Sequence, residues 1–238
     1  MPAMSDIERP VLLISGTGEG LAASIATTFA QGGYDIVGLA RSDRIARHLT
    51  RLVREAGGTY NHAACDLTQP EGVGEALRPH LGRIGVVVHN AAAFVMKPFA
   101  ETTPVEFEHA WRAATLGAFI VSQIVLPHMV ARGAGTLIFS GATAALRGGA
   151  KFGAFASAKF AQRGLAQALA REYGPQGVHV AHVVIDGLID AVTTNQRAGT
   201  GVGRLDPAAI ARSYLYLAGQ DPSAWTHELD LRPSSERF

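Results

Sequence analysis

Five short runs of this chain have residue types and spacing suited to chemistry. The first is Ser15-Gly16-Thr17-Gly18-Glu19-Gly20-Leu21, which follows an apolar run and opens a helical pattern. Glycines at such a junction let the backbone turn tightly against a pyrophosphate, and the helix N-terminus offers the anion free N–H groups. An ordinary strand–helix turn uses similar residues, so the placement after a first strand carries the weight. The second run, Ala40-Arg41-Ser42, ends the next strand pattern. A carboxylate there would bind a ribose 2′-hydroxyl, whereas Arg41 can pair with a 2′-phosphate. This favours NADP(H) over NAD. Against it, Glu19 adds negative charge to the glycine loop, and Arg41 also reads as plain surface.

The third run is Asp66-Leu67, whose carboxylate can accept a hydrogen bond from an adenine. The fourth is His89-Asn90-Ala91-Ala92, at the end of another apolar run. The fifth, Phe155-Ala156-Ser157-Ala158-Lys159, opens a long amphipathic helix. Phe155 and Lys159 are four apart and share a face of that helix. A phenyl ring cannot donate a proton, so this pair suits binding better than acid catalysis.

The elements that must position these runs follow from hydrophobic periodicity. Strand patterns fall at Val11–Ile14, Asp35–Leu39, Tyr60–Ala64, Val86–His89, Thr136–Phe139, Val178–Ile185 and Glu228–Leu231. Helical patterns lie near 20–32, 43–56, 70–80, 103–131, 153–173 and 207–219. Apolar strands alternating with helices predict a parallel sheet covered on both faces, with its ligand at the carboxyl ends of the strands. This is an α/β chain forming a single-domain, Rossmann-type, doubly wound sheet of about seven strands. The 238 residues, 47% hydrophobic, suffice for one such core over 1–238. The segment 190–206, rich in Gly, Thr and polar residues, is a candidate substrate lid.

A net charge of +1 argues against a nucleic-acid surface. The arginines from Arg41 to Arg54 recur every three or four residues, as on the wet face of a helix. Leu116 to Val130 is broken by Gln123, Pro127 and His128 and falls short of the ~20 residues of a membrane span. One cysteine, Cys65, reads as a buried, inert thiol in a reducing cytoplasm. Asp6 and Glu8 precede any apolar run, unlike a signal peptide. No metal-ligand spacing stands out.

Taken together, these motifs resemble the short-chain dehydrogenase/reductase family over nearly the whole length. The family's three spaced glycines fall on Gly16, Gly20 and Ala22, its adenine-contacting Asp on Asp66, and its Asn-Asn-Ala-Gly motif on His89 to Ala92. Its Tyr-x-x-x-Lys motif falls on Phe155 to Lys159, and its Pro-Gly turn on Asp186-Gly187. The resemblance implies an NAD(P)-binding oxidoreductase whose cofactor meets Ser15, Gly16, Thr17, Gly18, Gly20, Leu21, Arg41, Asp66, Leu67, Asn90, Ala91, Lys159 and Ile189. It also implies a catalytic tetrad of Asn, Ser, Tyr and Lys. Here those positions hold Ala114, Ala142, Phe155 and Lys159. The tyrosine position of related enoyl reductases is Phe152. In the family the tyrosine protonates a carbonyl, the serine bonds the same oxygen, and the asparagine holds a water that relays protons to the lysine. The lysine also grips the ribose. The binding parts therefore survive and the proton-handling parts are replaced.

Substitute donors are His89 and Thr143, with Ser140 beside the vacant serine position. His89 also reads as a structural histidine, and strand-end Ser and Thr commonly bond the backbone. Lys151 is either a contact for an anionic substrate or a solvated loop residue. Asp186 and Asp190 either face the pocket or cap turns. His182 reads as a satisfied core histidine, and Met129 and Phe160 as helix core. The small residues from Gly153 to Ala170 allow close helix packing, and with the resemblance they predict a homodimer or homotetramer. Three functions stay open: an oxidoreductase for a small activated C=C or carbonyl substrate with a non-standard proton donor, a non-catalytic dinucleotide sensor or structural subunit, and a chain that has lost its cofactor.

Overall fold

The computed structural model describes residues 8–191 and 203–235. Seven strands form one parallel sheet: β1 (Val11–Ser15), β2 (Asp35–Ala40), β3 (Tyr60–Ala64), β4 (Ile84–His89), β5 (Gly135–Ser140), β6 (Val178–Ile185) and β7 (Glu228–Leu231). Their spatial order is β3-β2-β1-β4-β5-β6-β7. The sequence winds outward from β1 in both directions, so the crevice opens between β1 and β4. Central strands such as β1 and β6 are buried at every position, because helices cover both faces.

On one face pack α1 (Leu21–Gln31), α2 (Ala46–Glu55) and α7 (Pro207–Ala218). Ile25, Phe29, Ile210 and Tyr214 meet Leu12, Ile14 and Ile36 there. The other face carries α3 (Pro70–Leu77), α5 (Gly117–Arg132) and α6 (Gly153–Tyr173). Leu77, Val121, Val125 and Met129 cover Leu13, Leu39, Val87 and Leu137. Outside α6 lies α4 (Pro104–Trp111), where Ala110 and Ala114 meet Ala154 and Ala158. Small residues at this seam let the two helices approach closely. A capping box joining Thr103 and Glu106 opens α4.

The predicted helix over 103–131 is continuous but not uniform. Residues Arg112–Leu116 form a π-helical turn between α4 and α5. Such turns are rare and frequently lie at functional sites. The whole stretch Pro104–Arg132 has the length and apolarity to cross a membrane, more than the sequence suggested, because the helix runs on through Pro127. Its buried side chains serve the core of the sheet instead. Phe160 departs from expectation in the other direction, since it is exposed on the outer side of α6.

Candidate functional site: a dinucleotide cleft with an apolar end

The glycine loop is built to touch the end of β4. Gly16 has φ +94°, and a Cβ there would stand 2.5 Å from the backbone of Ala91. Only glycine permits both the conformation and the approach. The pairing of Ser15 with His89 sets this register. Asn90 Nδ2 then donates to the Gly16 carbonyl at 3.1 Å, and the Asn90 and Ala91 N–H groups both donate to the Ser15 carbonyl at 2.9 Å. Gly18 borders open space, and α1 begins without a side-chain cap. An uncapped helix start beside an open loop is a ready anion site.

A cleft of about 850 Å³ opens here. Gly16, Thr17, Gly18, Arg41, Asp66, Leu67, Asn90 and Ala91 line it. These eight predicted residues are brought together. Ser15, Gly20, Leu21, Lys159 and Ile189 are not among its lining. Ser15, Leu21 and Lys159 are buried, and Ile189 bridges to Leu205 beside residues 192–202, which lie outside the described residues together with most of the candidate lid. Arg112, His109, Phe94 and Val95 also line the cleft. The sequence did not single them out, since its pattern predicted only a helix over 103–131 there.

Charge is arranged along this cleft. Glu19, which seemed to oppose a phosphate, is paired with Arg44 at 3.0 Å. Arg41 is exposed just after β2, close enough to Asp66 for their charges to attract. Asp66 Oδ1 accepts from the Thr68 N–H and hydroxyl at 2.9 Å each, and these bonds hold the carboxyl below its usual range. Cys65 is half-buried and lines the cleft rather than lying in the core, and burial raises its thiol.

Beyond Phe94, which lines the cleft, an apolar group lies at the start of α6. Phe94 packs edge-on against Phe152 and Phe155, with ring centres 5.8 and 5.2 Å apart. Lys159 Nζ lies 5.9 Å from the Phe155 ring centre. The lysine is 3% exposed, and burial lowers its ammonium to about 8. It donates to the Ser140 carbonyl at 2.7 Å and to Gln162 Oε1 at 3.1 Å. Gln162 was missed by sequence reasoning, although three residues after a lysine on one helix is contact spacing. Ala114 is buried within the π-helical turn. Ala142 is half-buried at the start of a short helical turn after β5.

Neither substitute proton donor is placed to act as one. His89 is buried, shares a 2.7 Å hydrogen bond between its Nδ1 and Ser15 Oγ, and is pushed down to about 3 by burial and then by Lys159. It is a neutral structural histidine near neutral pH, because charging it in the core would cost too much. Thr143 donates its hydroxyl to Asp186 Oδ1 at 2.5 Å. Asp186, 4% exposed at the end of β6, also faces Arg232 at 3.5 Å and Arg147 at 3.9 Å. Ser140 Oγ accepts from the Tyr214 hydroxyl at 3.0 Å. Lys151 is exposed at φ +70°, and its carbonyl accepts from the Lys97 N–H. His182 is core but not satisfied, as neither ring nitrogen has a hydrogen-bond partner among the described residues. Burial lowers it to about 4. No cluster of candidate metal ligands occurs among the described residues.

The sheet order and the cleft at the β1–β4 crevice define a Rossmann-type dinucleotide-binding fold. Residues 10–200 match the family model described as short chain dehydrogenase, and the chain belongs to the short-chain dehydrogenase/reductase family of oxidoreductases. An uncharacterized oxidoreductase of Escherichia coli, YciK, is 26% identical over 228 residues, covering 92% of this chain and 90% of the relative. The 7alpha-hydroxysteroid dehydrogenase of Escherichia coli is 26% identical over 218 residues, covering 86% and 85%. Among solved structures, a short-chain dehydrogenase from Rhodopseudomonas palustris superposes with a TM-score of 0.82 at 34% identity, covering 94% of this chain and 98% of that one. An alcohol dehydrogenase from Thermococcus sibiricus, complexed with 5-hydroxy-NADP, gives 0.87 at 25% identity, covering 97% and 99%.

Proposed function

We propose that this protein is an NADP(H)-dependent oxidoreductase for a small apolar substrate bearing an activated C=C or carbonyl group, with water supplying the proton. The observation that carries the reading is the aromatic group Phe94, Phe152 and Phe155 beside a buried Lys159 with two of its three N–H groups bonded inside the protein. The site keeps a cation for binding and surrounds the substrate position with rings in place of hydroxyl donors. Bound in the cleft, a nicotinamide dinucleotide supplies hydride. The glycine loop and the α1 N-terminus take its pyrophosphate, Asp66 and Leu67 its adenine, and Lys159 its ribose. Arg41 takes a 2′-phosphate, which supports NADP over NAD. Phe152 and Phe155 exclude water from one side of the reacting substrate. An activated C=C bond suits such a site, because it needs less acid assistance than an isolated ketone.

Two further features belong to this reading. Val105, Phe107, Trp111, Phe119 and Phe160 are large apolar side chains exposed on α4, α5 and α6, which supports a homo-oligomer through those helices. Residues 190–206 act as the lid, and the half-buried thiol suits a cytoplasmic protein. The test is fluorescence titration with NADPH and NADH, then NADPH oxidation across enones, quinones and acyl-CoA esters. Micromolar NADPH binding with turnover of one class supports the enzyme. Binding without turnover favours the second reading, a dinucleotide sensor or structural subunit, which the three replaced tetrad positions also support. No binding removes both.

A further inference from the structure

Gln162 is 0% exposed and spans two elements with one side chain. Its Oε1 accepts from Lys159 Nζ at 3.1 Å, and its Nε2 donates to the Ala114 carbonyl at 3.1 Å. Both ends of the amide are therefore used, and the bond to a carbonyl fixes which end faces the lysine. Ala114 belongs to the π-helical turn, where the helical hydrogen-bond ladder is off register. Thr115 fastens the same turn to α6 by donating to the Ala158 carbonyl at 2.9 Å. The Lys159 ammonium has three N–H groups, of which the Ser140 carbonyl and Gln162 take two. One remains for the cleft.

We propose that Gln162 is a positioning residue that fixes Lys159 as a binding cation and seals it from solvent on the Ala114 side. This rests on the reading of Lys159 as a cofactor anchor. A water or hydroxyl between Lys159 and Ala114 would accept a proton from one neighbour and pass another onward. A carboxamide does not exchange protons this way, because its oxygen is a very weak base and its nitrogen a very weak acid. Lysine and carbonyl are thus joined mechanically but not by an exchangeable proton path. The site holds no proton relay through α6, in keeping with a ring rather than an acid at Phe155.

The chain has three lysines, Lys97, Lys151 and Lys159, so their side-chain NMR signals are few enough to follow singly. The histidines coupled to Lys159 lie well below it, His89 of β4 at about 3 and His182 of β6 at about 4. The experiment follows the lysine side-chain resonances of the cofactor-free protein against pH, with proton exchange at Nζ, in wild type, Gln162→Leu and Gln162→Glu. Lys159 should titrate near 8 with slow exchange in wild type. In Gln162→Leu the ammonium loses an acceptor, so its midpoint should fall by about one pH unit. In Gln162→Glu the added carboxylate should raise it. Exchange in Gln162→Ala, where water can enter, should quicken about tenfold or more. A midpoint and exchange rate that match wild type in all three variants would overturn the proposal. If Gln162→Leu fails to fold, the opposite shift in Gln162→Glu and the exchange rate of Gln162→Ala still decide it. NADPH binding is then measured separately, so loss of the anchor reading shows as wild type that titrates as expected yet binds no NADPH.

Discussion

The two ends of the cleft solve opposite problems with similar materials. At the β1–β3 end the chain keeps polar groups open to solvent, with Arg41 and Asp66 exposed and the loop at Gly18 facing empty space. Around α6 Lys159, Thr143 and His89 each bond inside the protein, although neither ring nitrogen of His182 has a partner among the described residues. Lys159 is bonded to Ser140 and Gln162, Thr143 to Asp186, and His89 to Ser15. Open polar groups await a ligand, whereas satisfied buried ones hold a shape. Under the proposed function the difference puts cofactor recognition at one end and a wall of buried, bonded groups at the other.

The sharpest way to break this contrast is to return acid chemistry to the dry end. Phe155→Tyr with Ala142→Ser should raise the reduction of a simple ketone over wild type by about 10²–10⁴ in rate, the range of a positioned general acid. Steady-state NADPH oxidation with a simple ketone reads the gain. No gain, from a variant that still binds NADPH, would mean that the aromatic group and not the missing hydroxyls excludes the substrate.

The next largest effect strikes the open end. Gly16→Ala sets a Cβ 2.5 Å from the Ala91 backbone at φ +94°. It should destabilise the fold by about 3 kcal/mol, combining left-handed strain with a displaced backbone. Urea denaturation gives the magnitude, and a loss under about 1 kcal/mol would mean that the loop and the end of β4 part easily.

Acid separates the ends again. His89 and His182 have folded values of about 3 and 4, below the ordinary histidine range. Below about 6.5 the unfolded chain therefore binds protons that the folded chain refuses, and stability drops as the pH falls toward those values. His182, with no partner for either nitrogen, is the one to remove. His182→Leu should be about 2 kcal/mol more stable than wild type at pH 5, relative to their difference at pH 8. Parallel stability curves from pH 8 to 5 would contradict it.

Sequence reached these two ends unequally. The seven strands and their parallel pairing were legible, because apolar periodicity is a local signal, and eight residues picked from the strand ends between Gly16 and Ala91 do line the cleft. Ala114, Ala142 and Phe155 are assigned to tetrad positions only through the family resemblance. What filled the vacancies was not legible. The Gln162 bridge depends on where a π-helical turn brings the Ala114 carbonyl, and the Thr143–Asp186 bond depends on which loop follows β6. Phe94 was not singled out in the sequence, and its role comes from meeting two rings of the α6 start. Each is a contact between segments far apart in the chain, set by the packing of helices on a sheet rather than by neighbours in sequence.

The smallest effect concerns which dinucleotide the open end prefers. Arg41 stands exposed at the end of β2, and Arg44 is already drawn to Glu19. A single exposed guanidinium meeting a phosphate in solvent contributes modestly, and salt screens it. Arg41→Ala should weaken NADPH about tenfold and leave NADH within twofold. The loss should shrink as ionic strength rises, since the two charges meet in water. Equal weakening of both cofactors would assign Arg41 to the adenine ring, by stacking, rather than to the 2′-phosphate. No weakening of either would move the preference to Arg44, released from Glu19 when the phosphate arrives. Glu19→Gln then distinguishes that case, because freeing Arg44 beforehand should tighten NADPH binding and leave NADH unchanged.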